Sequence, residues 1–259
     1  MRLCSVDLKI DPQTRDFYQR SIHTMIEAEI PFLIGGAYAF GCYTGIKRDT
    51  KDLDVFVAPR DANGILDVLS RAGYKTELTD EVWLGKTFHA ENLVDVIFSS
   101  ANGIAMVDEG WFKHACPAML LDVEIKLVPP EEMIWSKAFV MTRDRYDGAD
   151  IMHIIRCLGD ELDWHRLMKR FEPTWRIFYN YLVLFGFIYP SDRDLVPRWV
   201  MQELASRLDE ETHSPPLEER ICRGPLLSTT QYLVDIEEWG YCDPRAENFD
   251  RCRELSKPK

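Results

Sequence analysis

The chain has 259 residues, 46% of them hydrophobic and 29% charged, enough for one large domain or two small ones around a packed core. Its formal net charge of −12 excludes a protein that coats nucleic acid through a broad basic surface, while leaving room for a local basic pocket. Seven scattered cysteines without a CxxC pair read as reduced intracellular thiols, neither a zinc site nor a disulfide framework.

The first residues lack the continuous apolar stretch of a secretory signal. Residues 12–30 carry Phe17, Ile22, Met25, Ile26 and Ile30 near helical spacing, which predicts an amphipathic helix. A short strand over 31–34 runs into Gly35-Gly36, and a helix is expected over 37–43. Residues 52–57 are the second strand. Residues 61–73 read as a helix with Asp61 as N-cap and Gly73 as its stop. Three further strands are expected over 81–88, 93–99 and 122–128, the last closed by Pro129-Pro130.

Beyond Pro130 helical patterns take over, at 131–142, 147–159, 161–171, 173–188 and 195–209. Trp135, Phe139, Trp164, Phe171, Trp175, Phe178 and Tyr181 are the expected core aromatics of these helices. The most apolar stretch, 177–189, is interrupted by Asn180, preceded by Arg176 and too short to span a bilayer. The sequence thus predicts an α+β chain: a domain over 1–130 with a small mixed sheet and flanking helices, then an all-helical region over 131–259. The second region is expected to close one side of a cleft, with a mobile Pro-rich loop at 209–225 and a frayed tail. A cytoplasmic, membrane-free protein fits these features.

The chemistry concentrates in residues 32–57. Asp52 and Asp54 sit two apart on a strand, so their side chains share a face. Carboxylates side by side in an apolar strand are costly unless something positive lies between them, and a divalent cation serves that purpose. Asp95, a lone acid in the apolar run 93–98, is the candidate third ligand from a neighbouring strand. The bare backbone N–H groups of Gly35-Gly36 at a helix start suit a phosphate. Lys47, Arg48 and Lys51, in the turn before the acidic strand, could pair with phosphates. No histidine pair has metal-ligand spacing, and no serine lies in a GxSxG context.

Gly35-Gly36-Ala37-x-Ala39 followed by Arg48-Asp49-Thr50-Lys51-Asp52-Leu53-Asp54-Val55 resembles the nucleotidyltransferase superfamily related to DNA polymerase β. Within it, the bacterial minimal, abortive-infection toxin-type and aminoglycoside nucleotidyltransferases look nearest. The resemblance covers roughly residues 20–160. It implies that Asp52, Asp54 and Asp95 form a catalytic triad holding two Mg2+ ions, with Mn2+ as a substitute. Gly35, Gly36, Arg48, Thr50 and Lys137 would bind the nucleotide, an NTP such as ATP. Asp147 and Asp150 would be structural or acceptor-side residues. Gly36 stands where many members carry Ser, and the gap from Gly36 to Asp52 is long for the family.

Two functions follow from that resemblance. One is transfer of an NMP from an NTP to the hydroxyl of a small molecule, a protein or an RNA end, with release of pyrophosphate. The other is a catalytically idle relative that binds nucleotide or a partner as a sensor or toxin–antitoxin component. A glycosyltransferase reading of the Asp-x-Asp pair fits poorly with the glycine turn so close upstream.

Overall fold

The computed structural model describes residues 4–5 and 10–245, in two compact units, Met1–Ser136 and Lys137–Lys259. The expected frayed tail at 248–259 lies outside the described residues.

The first unit is built on an eight-stranded mixed sheet in the order β1-β7-β8-β2-β3-β6-β5-β4. Its strands are β1 (Cys4–Ser5), β2 (Leu33–Ile34), β3 (Asp52–Phe56), β4 (Lys75–Asp80), β5 (Leu84–His89), β6 (Asn92–Ile97), β7 (Cys116–Leu120) and β8 (Val123–Leu127). The helices of this unit are α1 (Pro12–Glu27), α2 (Gly36–Thr44), α3 (Ala62–Arg71), the short α4 (Glu109–Lys113) and α5 (Pro130–Lys137), which ends on the first residue of the second unit. The α+β class with a mixed sheet is as expected from sequence. The sheet is larger than the five strands read there, because β1, β4 and β7 carry no apolar alternation that marks them.

Helix α1 starts where Asp11 accepts from the Gln13 and Thr14 amides at 3.0 Å, with Pro12 in its first turn. It buries Phe17, Tyr18, Ile22 and Met25. Helix α3 buries Ile65, Leu66 and Leu69 and packs on α1, β4, β5 and β6. Asp61 stands at its N-cap but makes no side-chain cap bond, because its backbone is already helical in the preceding turn. Gly73, just past the helix end, has φ +94, so it is the expected stop.

Alternation then fixes the two faces of the central strands. Leu53, Val55, Val94 and Val96 are fully buried, and Gly85, paired with Val96, lies close against Leu66 of α3. The intervening residues Asp52, Asp54, Asp95 and Lys86 therefore project from the opposite face, away from α3. Cys116, Cys157, Cys222 and Cys242 are in no disulfide; Cys42 is disulfide-bonded, which corrects the expectation of reduced thiols throughout.

Among its described residues the second unit holds helices and no strand: α6 (Gly148–Leu158), α7 (Trp164–Arg170), α8 (Trp175–Ile188), α9 (Arg198–Thr212) and the short α10 (Leu233–Glu237). Phe171 stacks on Phe178 with ring centroids 4.6 Å apart, and the Trp164 indole N–H donates to the Gly159 carbonyl at 2.8 Å. Of the predicted core aromatics, Trp135, Phe139, Trp164, Phe171, Phe178 and Tyr181 are buried, while Trp175 is half-buried. No helix among the described residues is long and apolar enough to cross a membrane.

Candidate active site

The site begins where β2 ends. The Gly35 amide donates to the Asp54 carbonyl at 2.9 Å, which carries the chain alongside β3 at the level of Asp54. Gly35 then caps α2, and Gly36 opens the helix with φ +53. Neither position has room for a side chain. A Cβ on Gly35 would run into the Phe56 ring, and one on Gly36 into the Asp54 carboxylate. The pair of glycines thus lets a helix N-terminus, with its unsatisfied N–H groups and partial positive charge, start directly against an acidic side chain.

Asp54 is the register partner of Asp95 on the parallel strand β6, and Asp52 precedes it by two residues on the same face. Strand β6 lies between β3 and β5, so Asp95 belongs to the sheet interior and not to an edge. The Thr50 hydroxyl donates to an Asp52 carboxylate oxygen. Asp95 pairs with the Lys86 ammonium at 2.8 Å, its register partner on β5. Burial pushes the Asp95 carboxyl above its ordinary value, outweighing the opposing pull of Lys86, and the charge of Asp52 adds to the rise. The buried phenol of Tyr18 carries the same signature: burial raises it, and the charges of Asp52 and Asp54 raise it further. Among the described residues its hydroxyl has no hydrogen-bond partner.

Three oxygen-donor carboxylates on one face, one of them fitted against a glycine backbone, suit a hard divalent cation. The residue types and the glycine cradle fit such an ion. In this arrangement the donors do not yet converge: among the described residues no group of three or more His, Cys, Asp or Glu side chains is gathered closely enough to hold a metal ion. The partner of Asp95 is Lys86.

Beside the acidic strand a cavity of about 480 Å³ is lined by Tyr38, Thr50 and the basic Lys47, Arg48 and Lys51, but also by the acidic Asp11, Asp49 and Glu91. The Arg48 guanidinium lies 4.2 Å from the centroid of the Phe40 ring, a cation–π contact that fixes one side of this basic turn. The structure thus brings Arg48 and Thr50 to one cavity wall, with Thr50 bonded to Asp52.

Lys137 lies in the second unit, where its ammonium is 2.9 Å from both Asp147 and Asp150. Arg145 adds a second cation to Asp147. Burial raises the Asp147 carboxyl, but Arg145 and Lys137 together outweigh it and hold the group below its ordinary value. The partners of Lys137 are thus these two aspartates. Lys86 was not singled out from sequence. The available signal was a lysine at an inward-alternating position of the 84–89 run, but its partner depends on strand register.

No protein-family model and no curated protein sequence matches this chain. Solved structures do. The antibiotic-resistance factor ANT(2'')-Ia is 13% identical, with 79% of this chain and 97% of that chain covered at a TM-score of 0.42. The lincosamide antibiotic adenylyltransferase LnuA is 16% identical over 56% of this chain and 96% of its own, at 0.40. An antigenic nucleotidyltransferase-like protein from Paracoccidioides brasiliensis is 14% identical over 71% and 93%, at 0.44. Of these, LnuA is named an adenylyltransferase and the Paracoccidioides brasiliensis protein nucleotidyltransferase-like.

Proposed function

We propose that this chain is a divalent-metal-dependent nucleotidyltransferase that moves an NMP from an NTP to an acceptor hydroxyl. The single observation that carries the reading is the row Gly36–Asp54–Asp95, a helix N-terminus against one carboxylate with a second carboxylate in register beside it. Asp52, Asp54 and Asp95 would hold the cation, Mg2+ or Mn2+. When bound, it supplies Lewis-acid stabilisation of the phosphate oxygens.

The chain's own groups take the remaining roles. The first-turn amides of α2 face the triphosphate, with Arg48 and Thr50 on the neighbouring cavity wall. Asp95, on the same sheet face as Asp54, takes the proton of the acceptor hydroxyl. The hydroxyl oxygen bonds to the α-phosphorus, the bond from that phosphorus to the bridging oxygen breaks, and pyrophosphate leaves with the electron pair. The acceptor class, a small molecule, a protein or an RNA end, is left to substrate screening.

One observation favours an idle, nucleotide-binding relative instead: Asp95 is already neutralised by Lys86. Calorimetric titration of each NTP with Mg2+, on the wild type and Asp54→Asn, tests the proposal. Metal-dependent binding that Asp54→Asn abolishes supports it, and no binding by the folded wild type contradicts it. Binding without pyrophosphate release across an acceptor panel favours the idle relative.

A further inference from the structure

Asp54, Asp95 and Lys86 form one row across three adjacent strands. Asp54 is opposite Asp95 in the β3–β6 register, and Asp95 is opposite Lys86 in the β5–β6 register. Cross-strand partners share a face, so the three side chains stand side by side. The Lys86 ammonium sits 2.8 Å from Asp95 Oδ1, with the two side chains only 25% and 14% exposed. The neighbours of Lys86 along β5, Gly85 and Thr87, are buried on the α3 face, so strand alternation holds Lys86 on the carboxylate face. The remaining acid in the row is Glu77, the register partner of Lys86 on β4, which is exposed and screened by solvent.

An ammonium at Asp95 occupies the kind of position a divalent cation would take, carrying one positive charge where the metal brings two. A metal approaching Asp95 must displace that ammonium or be repelled by it.

We propose that Lys86 is a resident counter-ion that competes with the divalent cation for Asp95. The nucleotide-free protein then loads a cation through Asp52 and Asp54 while Asp95 is held back by the ion pair. This inference rests on the reading of the three aspartates as cation-binding groups. Among the described residues no donor cluster converges, which agrees with it, since an Asp95 carboxylate oxygen accepts from Lys86.

The test is Mn2+ binding, by calorimetry and by the free-Mn2+ electron paramagnetic resonance signal, without nucleotide. Wild type, Lys86→Met, Lys86→Gln, Lys86→Arg and Asp54→Asn are compared after circular dichroism confirms folding. Removing the ammonium frees a carboxylate, so Lys86→Met and Lys86→Gln bind Mn2+ about tenfold more tightly, the scale of effects around a metal's ligands. Lys86→Arg keeps the charge and stays near wild type. The tightening disappears when Lys86→Met is made in an Asp95→Asn background, which separates competition at Asp95 from a general loss of positive charge. Should Lys86→Met not fold, Lys86→Gln, which still hydrogen-bonds Asp95, carries the same comparison. Unchanged affinity in both neutral variants, with binding lost in Asp54→Asn, overturns the role of Lys86 and leaves the cation site standing. Tightening that persists with Asp95→Asn also overturns it. No Mn2+ binding by wild type or by the Lys86 variants overturns the cation reading itself.

Discussion

Asp95 stands directly opposite Asp54 on the neighbouring parallel strand, and each has a different neutraliser: the bare start of α2 at Gly36 for Asp54, and the Lys86 ammonium for Asp95. The strand pairing, more than the spacing of any motif, brings these groups together. It also sets which substitutions separate structure from chemistry.

Asp54→Asn keeps the shape of the side chain and removes its charge. Nucleotidyl transfer is predicted to fall about a thousandfold, the upper range for loss of one electrostatic group. The thermal midpoint should stay within a few degrees of wild type. Steady-state pyrophosphate release and a melting curve check both halves.

Gly36 and Gly45 both adopt left-handed backbone, at φ +53 and φ +73. Alanine at either position costs about 1–2 kcal/mol from backbone conformation. Only at Gly36 does the new Cβ enter the Asp54 carboxylate; at Gly45 there is open space. Gly36→Ala is therefore predicted to lose Mg2+-dependent nucleotide binding at a cost in stability above that of backbone conformation, while Gly45→Ala keeps binding and carries the backbone cost alone. Paired chemical denaturation and calorimetry distinguish the two effects.

Thr50 holds Asp52 through its hydroxyl. Thr50→Val removes that bond without changing the branching of the side chain. Affinity for Mn2+ is predicted to weaken about 10- to 100-fold, as when an outer-shell partner of a ligand is lost. Thr50→Ser should recover most of it, and an unchanged affinity in Thr50→Val would separate Asp52 from metal binding.

In the second unit Asp147 sits below its ordinary carboxyl value because Arg145 and Lys137 outweigh burial. A lowered folded-state value contributes stability that is present above the ordinary value of 3.8 and is lost as pH falls through the lower, folded one. Asp147→Asn is thus predicted to cost about 1.5–3 kcal/mol at neutral pH, the range for a hydrogen bond to a charged group. The gap to wild type should narrow as pH falls below 3.8 and close only once pH has passed through the lower folded value. Lys137→Met, which removes the cation 2.9 Å from both Asp147 and Asp150, should also destabilise the protein. Thermal melts across pH, monitored on both variants, measure these differences.

Much of this was legible in the sequence, for identifiable reasons. Strand β3 shows Leu53 and Val55 alternating with Asp52 and Asp54, and β6 shows Val94 and Val96 around Asp95, so both strands and their faces could be read directly. The glycine pair was legible because only glycine fits beside Phe56 and Asp54. Strand β4, with the sequence KTELTD, was not, because it is a polar edge strand whose faces are mostly in solvent. Strand β7 hid behind Pro117, which reads as a breaker when strand neighbours are unknown. The ion pair of Lys86 with Asp95 was beyond local reading, because register across a hairpin is set by the whole sheet.

The most direct measurement of the central claim is a crystal structure with Mn2+ and a non-hydrolysable NTP analogue, read through the anomalous signal of the metal. The account predicts a Mn2+ peak coordinated by Asp52 and Asp54, with the triphosphate seated on the amides of Gly36 and the first turn of α2. A nucleotide bound elsewhere, or Mn2+ that bypasses both aspartates, would contradict it.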